Sequence, residues 1–276
     1  MTKRLENKVA LVTGAARGQG RSHAIRLATE GANIIALDAC ADIANTPYPG
    51  ATLDDLEETE DAVRSAGGKI VTAQVDVRNI DEITTATADG VSQLGRLDIV
   101  CANAGIRTIA ATSDLSDETW TETIDINLTG AWHTCRAAIP HLMNAGGGSI
   151  VITSSVGGLK GSANLAAYVA ASHGLVGLMR SLAKELAPIG IRVNTVNPTT
   201  VDTDMTRNSS MYHLLLPDRE SPGFDEWADA SRSTHPMGIP YLEAGDVSGT
   251  VAFLASDDAK YITGVAVPID GGVIGR

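Results

Sequence analysis

The strongest constraint on how this chain can fold is a rhythm. Short, β-rich apolar runs at Val9–Thr13, Asn33–Asp38, Ile70–Val75, Asp98–Ala102, Ser149–Thr153, Ile191–Val196 and Val265–Ile269 recur along its whole length. They are continuous rather than alternating, the pattern of strands covered on both faces. Between them, Gly18–Glu30, Leu53–Ala66, Ile80–Leu94, Asp117–Asn144, Leu165–Leu186 and Glu243–Ala255 have helical composition. Strand and helix in regular alternation, joined by right-handed crossovers, predict an α/β fold. The expectation is a single domain over residues 1–276, a doubly wound sheet of about seven parallel strands with helices on both faces. No internal repeat, low-complexity tract or polar linker divides the chain.

Length and charge narrow the partners. With 276 residues, 43% of them apolar, the chain can bury a sizeable core, which excludes disorder for most of it. Its 21 basic and 33 acidic residues leave a net charge of −12. Nucleic acid and anionic membrane surfaces, which need a basic face, are therefore not expected partners. Cys40, Cys101 and Cys135 are odd in number and scattered, with no metal-ligand spacing. They fit a reducing compartment, and no metal is expected. The N-terminal stretch has no apolar run of signal-peptide length, and no segment reaches the roughly 18–20 apolar residues of a membrane span. A cytoplasmic location is the expectation.

The first strand runs into Thr13-Gly14-Ala15-Ala16-Arg17-Gly18-Gln19-Gly20, which opens the first helix. Glycines there permit a tight turn and close backbone approach, while the helix N-terminus aims N–H groups at a pyrophosphate. A glycine triplet alone is weak evidence, but this one has the strand–turn–helix context it needs. Asp38 ends the second strand, twenty residues beyond Gly18. A carboxylate there accepts from the adenosine ribose hydroxyls and repels a 2′-phosphate, so NAD is favoured over NADP. Arg17 could contact a 2′-phosphate, but no Arg or Lys follows Asp38 directly. Asp76 and Val77, after the third strand, are placed to form an adenine pocket.

Two segments break the rhythm. Residues 39–51, directly after Asp38, carry two prolines and a glycine and read as an inserted loop; the position suggests that it covers the adenosine end and slows cofactor exchange. Residues 204–237 combine Met205, Met211, Tyr212, Phe224 and Trp227 with Pro217, Pro222 and Pro236. This stretch reads either as a surface excursion or as a lid over an apolar substrate.

Taken together, these motifs resemble the short-chain dehydrogenase/reductase superfamily. Thr13–Gly20, Asn103-Ala104-Gly105, Asn127-Leu128-Thr129-Gly130, Ser154-Ser155, Tyr168 and Asn197-Pro198 occur in the family's order, and Tyr261-Ile262-Thr263-Gly264 and Asp270-Gly271-Gly272 extend the likeness nearly to the C-terminus. The insert and Pro198-Thr199-Thr200 look like the mycofactocin-associated, carveol-dehydrogenase-like branch. The resemblance implies a Rossmann-type fold and an NAD-linked oxidoreductase, usually a homotetramer, acting on a secondary alcohol and its ketone. The composition of the lid suggests a small hydrophobic, terpenoid-like substrate.

Carried over by position, Ser155 would hydrogen-bond the substrate oxygen, Tyr168 would exchange its proton, and Asn127 would hold a water in a proton relay. Gly14, Arg17, Gly18, Gln19, Gly20, Asp38, Asp76 and Val77 would line the cofactor site with Asn103, Ala104, Gly105 and Pro198. Thr203 would contact the nicotinamide carboxamide. The asparagine that usually precedes Asn103 is Ala102 here.

One departure weighs more. The family has Tyr-x-x-x-Lys, and this chain reads Tyr168-Val169-Ala170-Ala171-Ser172. Positions i and i+4 share a helix face, so the family's lysine lies beside the phenol and the nicotinamide ribose. A unit charge about 4 Å from a phenol, at an effective dielectric of 20, is worth about 4 kcal/mol, about a thousandfold in ionisation. Ser172 can donate to the ribose but supplies no charge, which hurts alcohol oxidation most. His173 is turned about 100° around the helix, Lys184 lies twelve residues beyond Ser172, and Lys160 sits in the loop after Ser155. Three readings stay open: an enzyme with altered or weak chemistry, an impaired or inactive NAD-binding homologue, and an altered copy of an active enzyme.

Overall fold

In the first strand, β1 (Val9–Thr13), alternate side chains pack on opposite faces, and all five residues are buried. That burial requires helices on both sides. The computed structural model describes residues 3–275 and supplies them. β1 pairs with β2 (Asn33–Asp38) and β4 (Ile99–Ala102), and β2 with β3 (Ile70–Gln74). On the other side follow β5 (Gly148–Thr153), β6 (Ile191–Pro198) and β7 (Ala266–Ile269). The seven strands are parallel, in the order β3-β2-β1-β4-β5-β6-β7.

Val9 and Leu11 share a core with α3 (Ile80–Leu94), α5 (Gly130–Asn144) and α6 (Ala166–Leu186). Ala10 and Val12 pack with α1 (Gly18–Thr29), α2 (Leu53–Ser65) and α9 (Ala244–Ala255). The strand order reverses between β1 and β4, which opens a crevice at the carboxyl ends of the strands. Strands and helices fall within two residues of the limits read from the sequence, with one interruption. The expected helix over 117–144 is α4 (Asp117–Ile124) and α5 joined by a π-turn, Asp125–Thr129. Such one-turn bulges recur at functional sites.

Residues 39–51 form no helix or strand. Thr52 then starts α2 through a reciprocal cap with Asp55. The stretch 204–237, expected as a long loop, instead contains α7 (Ser209–Leu215) and α8 (Phe224–Arg232). Asn208 caps α7 by accepting from Met211 N at 3.1 Å, and Pro217 and Pro222 lie in the connection between the helices, where they break nothing. Trp227 and Met211 are buried in a small core of this segment's own, with Tyr212 and Phe224 packed against them.

Candidate active site

The turn after β1 is shaped by what glycine lacks. Gly14 has φ +65°, and a Cβ on Gly20 would lie 1.9 Å from the Gly14 carbonyl oxygen, so no other residue fits there without moving the turn. Asn103, just past β4, donates through Nδ2 to the Thr13 carbonyl at 3.1 Å, while its own N–H and that of Ala104 donate to Thr13 Oγ1. The turn is thereby clasped to the neighbouring strand. The N-terminus of α1 has no side-chain cap and no acidic residue in its first turn, which leaves its N–H groups and positive dipole for a ligand.

Gly14, Arg17, Gly18, Gln19, Gly20, Asp38, Asp76, Val77, Asn103, Ala104, Gly105 and Thr203 all line one groove. Asp38 accepts from Ala16 N at 2.9 Å and from Cys40 N at 3.0 Å, one bond to each oxygen, so both oxygens keep lone pairs. Asp76 is held by Arg78, whose guanidinium lies 2.6 Å from it. Burial works against the Asp76 carboxylate, but that contact keeps its pKa below the usual range. The Arg17 guanidinium is not free to read a phosphate. It pairs with Asp204 at 3.0 Å and donates to the Pro49 carbonyl, joining the insert to the start of the 204–237 segment.

A second cavity, of about 440 Å³, brings Ser155, Tyr168, Ser172, Asn127 and Pro198 together. It shares Gln19, Asn103 and Thr203 with the groove. Ser155 is buried at the carboxyl end of β5 and accepts from Gly157 N at 3.0 Å, which leaves its own proton to give. Its carbonyl accepts from the buried Asn197 at 2.8 Å. A Cβ on Gly157 would stand 3.5 Å from Ser155 Oγ and 3.6 Å from Tyr168 Cε1, so this glycine leaves open the space between hydroxyl and phenol ring.

Two of the expected site residues have side chains already engaged within the protein. The Ser172 hydroxyl, expected to serve a ribose, donates to the Tyr168 carbonyl one helical turn back at 2.7 Å. The residue is 3% exposed, and a buried hydroxyl on a helix meets its hydrogen-bonding need with the nearest carbonyl. Asn127, expected to hold a water, has its side chain taken up at both ends by Ile106: Oδ1 accepts from its N–H and Nδ2 donates to its carbonyl, each at 2.8 Å. The π-turn thus braces the loop after β4. His173 is exposed and bonded to the Val169 carbonyl, whereas Lys160 is exposed but does line the cavity.

Two residues at the site, Tyr48 and Arg107, were not read from the sequence. Tyr48, in the insert, accepts from Arg107 N at 3.1 Å, and Arg107 donates to the Met205 carbonyl at 2.6 Å. Burial pushes the Tyr48 phenol pKa up, against the opposing effect of Arg107. Met211, Leu214, Leu215 and Trp227 give the cavity an apolar wall. Their aromatic and long apolar composition signalled that wall, but nothing in the sequence marked the Tyr48–Arg107–Met205 tie. No metal-binding cluster of His, Cys, Asp or Glu occurs among the described residues, and no described helix is long and apolar enough to cross a membrane.

Residues 14–274 match the family model described as Enoyl-(Acyl carrier protein) reductase. The chain is 51% identical over 272 residues to the (-)-trans-carveol dehydrogenase of Rhodococcus erythropolis, covering 98% of each. The crystal structure of carveol dehydrogenase from Mycobacterium avium in complex with NAD superposes with a TM-score of 0.97 at 51% identity, covering 99% of each chain. A short chain dehydrogenase from Mycobacterium paratuberculosis bound to NAD gives 0.91 at 38% identity, covering 99% of this chain and all of that one.

Proposed function

The chain belongs to the short-chain dehydrogenase/reductase family, and we propose that it is an NAD-dependent oxidoreductase interconverting a small cyclic, carveol-like secondary alcohol and its ketone. The observation that carries this reading is one cavity holding the Ser155 hydroxyl and the Tyr168 phenol, continuous in its walls with the glycine-turn groove. The groove fits NAD: the turn excludes a Cβ at Gly20, α1 is uncapped, and buried Gln19 Oε1 has no partner among the described residues. When bound there, NAD supplies the hydride acceptor or donor at its nicotinamide ring.

The protein's own residues divide the remaining work. Gly14, Gly18 and Gly20 admit the pyrophosphate, and Asp38 takes the adenosine ribose. Asp76 and Val77 border the adenine, and Pro198 and Thr203 lie at the nicotinamide end. Ser155 donates to the substrate oxygen and fixes its position. Tyr168 takes the hydroxyl proton in oxidation and returns it in reduction. Asn127 supports the relay as a brace of the Gly105–Arg107 loop, so a relayed water would rest on its main chain. The segment 204–237 acts as the lid, its apolar wall taking a hydrophobic ring.

Ser172 sets the balance of the reaction. Oxidation needs the phenol ionised and reduction needs it protonated, and at position 172 there is a hydroxyl turned back on the helix instead of a cation. Ketone reduction therefore outpaces alcohol oxidation at neutral pH. The same observation favours a second reading, an NAD-binding homologue with little or no turnover. Turnover of a panel of cyclic secondary alcohols with NAD or NADP, and of their ketones with NADH or NADPH, separates the two. NAD-linked turnover, faster in reduction, supports the dehydrogenase; tight NAD binding with no turnover supports the second reading.

The insert, tied to the lid through Arg17 and to the loop after β4 through Tyr48, covers the adenosine end and slows cofactor exchange. NAD retained through purification is the expected result, and rapid release counts against it. Exposed Trp120, Trp132 and Met143 along α4 and α5 support assembly as a homotetramer, and the free cysteines support a cytoplasmic location.

A further inference from the structure

The loop after β6 carries Thr199, half-buried in the wall of the catalytic cavity, with its main-chain N–H pinned to the Ile269 carbonyl at 3.0 Å. Its hydroxyl lies 3.0 Å from Nε2 of His235, at the closing end of the lid. His235 is 3% exposed and has both ring nitrogens engaged. Nδ1 faces the Ser231 carbonyl at 3.1 Å and the Thr234 hydroxyl at 3.2 Å. A carbonyl only accepts, and the Thr234 hydroxyl already donates to that same carbonyl at 2.7 Å, so Nδ1 is the nitrogen that carries the ring proton. In the uncharged ring Nε2 is then an acceptor, and the Thr199 hydroxyl must donate to it. With that proton committed, what Thr199 can still offer the cavity is a lone pair.

We propose that His235 is a positioning residue that fixes Thr199 Oγ1 as a hydrogen-bond acceptor in the cavity wall, selecting a ligand group that presents an N–H or O–H there. A free threonine hydroxyl rotates to serve either polarity; one whose proton is held serves a single polarity and turns away a bare acceptor such as a ketone or ether oxygen. The same bond links lid and site. Met237 N donates to the Gly271 carbonyl beside it, so the closing end of the lid is docked where it sets the polarity of Thr199. The kinetic consequence rests on the dehydrogenase reading above, whereas the ring tautomer does not.

The test uses the full-length protein with NAD, labelled with ¹⁵N at histidine and held near pH 8. The His235 signals, identified by their loss in His235→Gln, should show a protonated Nδ1 and a hydrogen-bonded, unprotonated Nε2. Thr199→Val should move the Nε2 signal toward that of a free acceptor and leave Nδ1 in place. A protonated Nε2, or a ring indifferent to Thr199→Val, overturns the proposal, and this arm stands even where His235→Phe folds poorly. In kinetics, Thr199→Val and His235→Phe should each lower kcat/KM by about tenfold, and the double variant by about tenfold rather than about a hundredfold. His235→Gln, whose amide oxygen can accept the same bond, should recover to within about threefold of the parent chain. Effects that multiply overturn the proposal. A parent chain that turns over neither alcohol with NAD nor ketone with NADH overturns the dehydrogenase reading, and the ¹⁵N result then decides this one.

Discussion

On the β1–β2 side of the crevice the ligand site is made mainly from main chain, whereas on the β5–β6 side it is made from side chains. The first side needs glycine where a Cβ would strike a carbonyl, an uncapped helix end, and one carboxylate already oriented by two N–H groups. Such a site is preorganised once the strands pair. On the proposed mechanism, the second side depends on hydroxyl protons pointing the right way and on a charge beside Tyr168, and the chain has Ser172 where that charge would stand. Binding is therefore robust here and chemistry is fragile. Backbone donors cannot be substituted away, while a single side chain can remove the field on which a proton transfer depends.

The comparison can be broken most sharply at its catalytic end. Tyr168→Phe should lower turnover by about 10³ while cofactor affinity holds within about threefold. A matching loss of affinity would show that the two sides are not separate. Gly20→Val should do the reverse damage, weakening NADH binding in a fluorescence titration by about a hundredfold, since its side chain would meet the Gly14 carbonyl. Binding like that of the parent chain would refute the main-chain plan. Asp38→Ala should cut the preference for NAD over NADP by about tenfold, read as a ratio of kcat/KM values.

A pH-dependent effect falls on the stability of the cofactor side. His23 on α1 is buried against Ser248 of α9, with Nδ1 2.8 Å from its hydroxyl and Nε2 without a partner among the described residues. Burial lowers its pKa from 6.5 to about 3. The unfolded chain thus binds a proton below about 6.5 that the folded chain refuses until about 3. Stability contributed by the neutral ring is complete above that window and falls by up to about 1.4 kcal/mol per pH unit as pH drops through it. Urea unfolding between pH 7 and 4.5 should show that slope, and His23→Gln should flatten it. An unchanged slope in the variant would assign the acid sensitivity to other groups.

How much of this was legible in the sequence follows the same division. β1, β2, the glycine turn and Asp38 could be read because each is a local pattern: a buried strand has no polar alternation, and a turn needing positive φ shows itself as glycine. Ser155 and Tyr168 could be read only through family resemblance, since nothing local says that a hydroxyl thirteen residues from a phenol will meet it across a cavity. The lid helices were missed because Pro217, Pro222 and Gly223 dominate the composition, although they fall between α7 and α8. The π-turn, the back-bonded Ser172 and the Thr199–His235 bond depend on which hydrogen-bond partner happens to lie nearest, information that exists only after packing.

On the proposed mechanism, the absent cation at position 172 limits the chemistry while leaving the cofactor site intact. The most direct test of this claim is the pH dependence of alcohol oxidation with NAD for the parent chain and for Ser172→Lys. The account predicts that Ser172→Lys raises kcat at neutral pH by about tenfold or more and moves the acidic limb of the profile downward by about one to three pH units, with a smaller change in ketone reduction. A rate and profile unchanged by the added lysine would contradict it.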